Sequence, residues 1–146
     1  MSLPKSVLLE VITPSKLFYK QKVEMVVVTT FTGEEGYMPG HTWACKLLDV
    51  GVLKIKEVGA TEFKKAAISG GYVDVRDNII IFTDHAEWAE DIDFDRALKE
   101  KENAQAWLTT HNEKNSSEDD LNKAKVSLAK QNVRMKIANN GTRLKI

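Results

Sequence analysis

The residues of this 146-residue chain that could do chemistry are three histidines, one cysteine and many carboxylates. His41, His85 and His111 lie far apart, and no two have metal-ligand spacing. Each reads as a surface or packing histidine. Cys45 follows Trp43-Ala44 and precedes an apolar run, so it reads as a small buried hydrophobe rather than a nucleophile. One cysteine forms no internal disulfide, and beside three histidines it argues against a structural zinc site. The sequence contains no G-x-S-x-G elbow and no P-loop. Its acidic pairs fall on a segment that reads as a solvated helix, with no apolar pocket to raise a carboxyl pKa. No autonomous active site emerges.

The most unusual stretch is Gly33-Glu34-Glu35-Gly36-Tyr37-Met38-Pro39-Gly40-His41. Its glycines and its Pro-Gly pair dictate a defined loop. Tyr37, Met38 and nearby Trp43 supply apolar surface. The stretch reads either as a structured β-turn or as a rigid contact loop exposing carboxylates and a histidine.

Ordinary soluble composition surrounds these residues: 42% are apolar and 29% charged. The 21 Lys and Arg balance the 21 Asp and Glu, which disfavours a strongly basic nucleic-acid binder. Apolar runs such as Met25–Val28 and Ile79–Phe82 are far too short to span a bilayer. With no secretory leader evident, the chain reads as intracellular.

The elements that must position these residues change character near Asp84. Before it, Ser6–Thr13, Val23–Thr30, Gly51–Val58, Lys64–Ser69, Tyr72–Val75 and Ile79–Thr83 read as strands, separated by turn pairs. That pattern predicts an antiparallel β-sandwich or barrel, with Gly70-Gly71 as a bend or bulge. From Asp84 to Ile137 Gly and Pro are absent and helix formers accumulate. Asp91 or Asp93 can N-cap a helix running to about His111, and Ser117 a second one stopped by Asn139-Asn140-Gly141. The predicted fold class is α+β: an N-terminal antiparallel β-sandwich over 1–87, an antiparallel two-helix hairpin over 88–140 and a tail over 141–146. A stripe of Ala97, Ala104, Ala106, Ala124 and Ala129 predicts close helix approach with little buried area, so a hairpin of marginal stability. It reads either as an arm that can leave its resting place or as a permanent appendage.

Charge is segregated although the total cancels. Twelve acidic and four basic residues lie between Asp84 and Asp120. From Leu121 to Ile146 there are seven basic residues, Arg143 and Lys145 among them, and no acidic one. The basic helix can pair with the acidic one, or meet an acidic partner or a phosphate.

Three ordered motifs carry a resemblance. The GEEGYMPGH stretch is similar to GELGILPGH, Ser69-Gly70-Gly71-Tyr72-Val73-Asp74-Val75 to S-G-G-[FIY]-[VL]-[ED]-V, and Ala89-Glu90-Asp91-Ile92-Asp93-Phe94-Asp95-Arg96-Ala97 to A-E-D-[IL]-D-x-x-R-A. Over essentially the whole chain it resembles the epsilon subunit family of F-type ATP synthases, called delta in mitochondria. The resemblance implies a non-catalytic rotor subunit on the central stalk, peripheral at the cytoplasmic face of a bacterial membrane. It would bind the gamma subunit and the c-ring and have no nucleic-acid partner. Its hairpin would extend into the alpha/beta head and inhibit ATP hydrolysis.

Carried over by motif, Glu34 faces the rotor ring and His41 lies near gamma, with Tyr37, Met38 and Trp43 burying area at those contacts. Lys123, Lys130, Arg134 and Lys136 meet the head in the extended state. No cofactor is required, but ATP is an implied regulatory ligand. Ile92, Asp93, Arg96 and Ala97 match the family's ATP motif and Glu87 an upstream glutamate, with Lys130 and Arg134 toward the phosphates. Asn103 stands where that pattern prefers arginine, and lysine at 130 lacks the bidentate fork. ATP binding is therefore expected to be weakened or absent.

Overall fold

Alternation of inward and outward residues builds the first half. The computed structural model describes residues 5–138, and its chain divides after Glu87 into two compact units. The first holds β1 (Val7–Ile12), β2 (Leu17–Thr30), β3 (Gly33–Tyr37), β4 (Ala44–Glu57), β5 (Lys64–Val75) and β6 (Ile79–Phe82); β7 (Ala86–Trp88) pairs with β5. Val7, Leu9 and Val11 of β1 are buried while Leu8, Glu10 and Ile12 are half-buried, the period of two that a sheet demands.

The sheet runs β1-β6-β5-β4-β2-β3, and β1 also pairs with β2, which closes the layers on themselves. Most pairs are antiparallel, as expected, but β1 lies parallel to β6, with Leu9 opposite Ile79 and Ile12 opposite Phe82. Two strands are longer than their apolar runs predicted, because β2 and β4 each continue through polar residues for 14. In β2 the buried set changes from Tyr19 and Val23 to Val26, Val28 and Thr30. The parity flips where the register against β4 shifts between Val23 and Met25, as an inserted residue requires.

Gly70-Gly71 is a bend and not a bulge. The segments on either side form one continuous strand, β5, and the pairing with β4 keeps its register from Ala44–Val75 through to Ile55–Lys64. Buried positions nevertheless switch from Ala66 and Ile68 to Val73 and Val75. Both glycines have positive φ, +89° and +117°, and turn the strand over without slipping it.

The second unit contains a 3-10 turn (Ala89–Asp91) followed by α1 (Phe94–Thr110) and α2 (Glu118–Ile137). Asp93 caps α1 by accepting from the Arg96 amide, and Ser117 caps α2 by accepting from the Asp120 amide. A residue early in α1, Glu100, meets one late in α2, Arg134, so the helices are antiparallel. Of the five-alanine stripe only part faces inward. Ala97 and Ala104 are buried, Ala124 is half-buried, and Ala106 and Ala129 are exposed. Leu121 and Gln131 are buried on α2. The stop at Asn139-Asn140-Gly141 and the basic residues Arg143 and Lys145 lie outside the described residues.

Candidate functional site

The predicted site residues fall into two groups, one in the first unit and one largely in the second. The first is built on β3 and the turn after it. Phe31-Thr32 links β2 to β3 in a two-residue hairpin, so half of the expected contact loop is in fact a strand. Beyond it, the His41 amide donates to the Met38 carbonyl at 3.1 Å and Gly40 has φ +80°. Pro39 then Gly40 at the two central positions, with that bond, make a type II turn.

Strand alternation decides which side chains reach solvent. Tyr37 points inward and is 2% exposed, whereas Met38 and Trp43 are 58% and 64% exposed. Tyr37 was expected to bury area against a partner. It is instead the anchor of the loop, because its ring belongs to the core. Its hydroxyl donates to Glu35 Oε2 at 2.8 Å, and Lys46 Nζ reaches Glu35 Oε1 at 2.5 Å. Hydrogen bonds from Lys46 and Tyr37 hold the Glu35 carboxyl below its usual range. His41 stands edge-on to Tyr37 with centroids 4.8 Å apart, and its Nδ1 lies 2.6 Å from the Thr42 carbonyl. Glu34 is exposed and pairs with Lys54 at 3.2 Å. Met38 and His41 thus face solvent on a turn pinned at its root, with Glu34 exposed on β3 before it and Trp43 exposed just after it. A pinned turn can present a fixed surface at little entropic cost.

Cys45 is exposed, contrary to the buried reading. The apolar run after it lies in β4, where alternation sends Cys45 and Leu47 outward. Leu47 is 69% exposed and sits opposite Tyr72, which stacks on Phe82 at 4.8 Å. Sequence reasoning missed this outward apolar row, and the long alternating pairing of β4 with β5 was the signal for it.

Burial also sets the ionisation of two phenols. Desolvation, then hydrogen bonding to Glu57 and Glu35, pushes Tyr19 and Tyr37 upward from their ordinary value. In the unfolded chain both ionise near about pH 10. Raised folded values make their contribution to stability complete below that pH, and it is lost as pH climbs further. The urea midpoint is expected to fall between about pH 9 and about pH 11, and to fall less steeply in Tyr37→Phe. An identical slope in the variant would remove Tyr37 from this account.

The second group lies largely in the helical unit. Asp93 spends one carboxylate oxygen on the α1 cap, 3.2 Å from the Arg96 amide. Arg96 Nε lies 3.2 Å from Glu100 Oε1, and Arg134 Nη1 lies 3.3 Å from Glu100 Oε2. One carboxylate, absent from the expected site, therefore holds both expected arginines. Its spacing of four from Arg96 was the legible signal. Ala97 is fully buried, so it offers a ligand no side-chain surface and serves close helix packing instead. Lys123, Val126 and Lys130 line an open groove along α2, Lys136 is exposed, and Arg134 turns toward α1. Glu87 lies in β7. Among the described residues no group of three or more His, Cys, Asp or Glu could hold a metal ion, and no helix is long and apolar enough to cross a membrane.

A closed β unit with a pinned turn, followed by an antiparallel helix pair, defines a two-part class of protein, sheet then helical hairpin. Known families agree with that class. Residues 6–89 match the beta-sandwich domain of the ATP synthase delta/epsilon chain, and residues 90–139 match its long alpha-helix domain. The ATP synthase epsilon chain of Caldicellulosiruptor saccharolyticus is 44% identical over 68% of this chain and 72% of its own length. That of Bacillus velezensis is 36% identical over 93% of this chain and 99% of its own. A chain of the Euglena gracilis mitochondrial ATP synthase (OSCP/F1/c-ring) shares the fold, with TM-score 0.70 and 21% identity over 99% of this chain and 84% of that one. The chain belongs to the ATP synthase delta/epsilon family, as an epsilon subunit of the F-type enzyme.

Proposed function

We infer that this chain is a non-catalytic component of the central stalk, peripheral at the cytoplasmic face of the membrane. Its β unit binds gamma and the c-ring and transmits proton-driven rotation to ATP synthesis. The pinned turn carries this reading: Met38, His41 and Trp43 are exposed, while Tyr37 beneath them is buried and tied to Glu35. A surface that transmits torque must be rigid and must bury apolar area, and this one supplies both. The outward row of Leu47 and Tyr72 offers further apolar area on the same unit.

The helical unit acts as the regulatory arm, inhibiting ATP hydrolysis when it extends into the alpha/beta head. Its small-residue seam at Ala97 and Ala104 and its exposed Lys123 and Lys136 suit an arm that opens and meets an acidic partner. ATP would be the regulatory ligand of this arm, at the Asp93, Arg96 and Ala97 motif. The alternative, a stalk subunit that binds no nucleotide, is favoured by the engagement of Arg96 and Arg134 with Glu100.

Replacing both Met38 and Trp43 by alanine tests the contact surface. Both are exposed, so the thermal midpoint should hold while gamma binding weakens by about tenfold or more, as loss of aromatic anchors does. Unchanged affinity in a pull-down titration would move the gamma contact elsewhere on the β unit.

A further inference from the structure

Arg96 is badly placed by local helix electrostatics. It stands in the first turn of α1, where unpaired amides already carry partial positive charge. Its acidic neighbour Glu100 lies C-terminal to it, the less favourable order for a pair four residues apart. An arginine here needs a counter-anion, and Glu100 supplies one oxygen to it at 3.2 Å. The other oxygen of the same carboxylate crosses to α2 and meets Arg134 Nη1 at 3.3 Å.

Arg134 is held for that meeting. Its Nη1 also donates to Gln131 Oε1 at 2.7 Å, and Gln131 is buried. The Arg134 side chain is only 17% exposed, against 72% for Arg96. Glu100 follows Ala97 by three residues and precedes Ala104 by four, so it shares the helix face of the two buried alanines. Those alanines let the helices approach, and that approach puts the carboxylate within reach of the partner helix. Two guanidinium groups from two helices converging on one carboxylate form an arrangement that a phosphate would also satisfy.

We propose that Glu100 is an internal counter-anion that closes the helical hairpin by occupying the Arg96–Arg134 pair, so that an external phosphate gains that pair only by displacing it. The identity of the phosphate as a nucleotide rests on the ATP reading above; the clasp itself does not. The hairpin of this chain then closes without ligand, and its closure weakens as salt screens the pair.

The test uses the full chain and Glu100→Gln. Hydrogen exchange of the α2 amides from Gln131 to Arg134 is expected to run about fivefold faster in the variant at low ionic strength. Added salt should accelerate the natural chain toward the variant and leave the variant unchanged. Inorganic tripolyphosphate, titrated at low ionic strength, should bind Glu100→Gln about fivefold more tightly than the natural chain. Adding Arg134→Gln should remove that gain. Exchange that does not accelerate, or tripolyphosphate affinity that does not rise, overturns the proposal. ATP in the same titrations separates the two readings. If the variant holds ATP no tighter than tripolyphosphate, the ATP reading fails while the clasp stands.

Discussion

Gly71→Ala is expected to lower the stability of the β unit by about 4 kcal/mol, a large part of a typical domain's total. A Cβ on Gly71 would stand 1.8 Å from the Phe82 carbonyl oxygen, and the backbone there has φ +117°. The oxygen belongs to the β6 backbone paired against Tyr72, so it cannot swing aside as a flexible side chain would. The neighbouring glycine gives an internal scale. A Cβ on Gly70 would lie 3.1 Å from the Leu48 carbonyl at φ +89°, a tight approach rather than an overlap. Gly70→Ala should therefore cost about 2 kcal/mol, mostly backbone strain. Urea unfolding of both variants checks the order. A Gly71→Ala midpoint equal to or above that of Gly70→Ala would mean that β5 and β6 relax freely at the bend.

Tyr37→Ala is expected to cost about 3–5 kcal/mol, because it empties a position that is 2% exposed. Tyr37→Phe keeps the ring and should cost far less, since it gives up only the bond to Glu35. The pair of variants separates anchor from contact. If Tyr37 pins the turn, the Phe variant retains gamma binding, and the Ala variant loses it even where it remains folded. Were the hydroxyl itself a partner contact, the Phe variant would lose binding at unchanged stability. Chemical denaturation and a gamma-binding titration on the same two proteins tell these outcomes apart.

Local chemistry explains what was legible in the sequence. Pro39-Gly40 specifies its turn through fixed backbone angles, and Asp93 and Ser117 cap through side-chain oxygens one position before their helices. Such signals need only neighbours. The parallel pairing of β1 with β6 depends on partners distant along the chain, and nothing in either strand announces it. Cys45 and Tyr37 were misjudged for the same reason, since each swaps its expected side once the strand phase is known. That phase is obscured where β2 shifts register and where β5 bends at its glycines. Glu100 was missed because its partner on the second helix lies 34 residues away. On the other side of the account, the order of motifs carried the family directly, and the matches over 6–89 and 90–139 agree with it.

A division of labour between the two units is the central claim, and cutting the chain after Asp91 tests it most directly. The shortened protein would be added to an F-type complex lacking this subunit, with gamma binding and ATP hydrolysis followed together. The account predicts that it binds gamma as the full chain does and no longer restrains hydrolysis. Failure to bind gamma, or full restraint by the shortened chain, would contradict it.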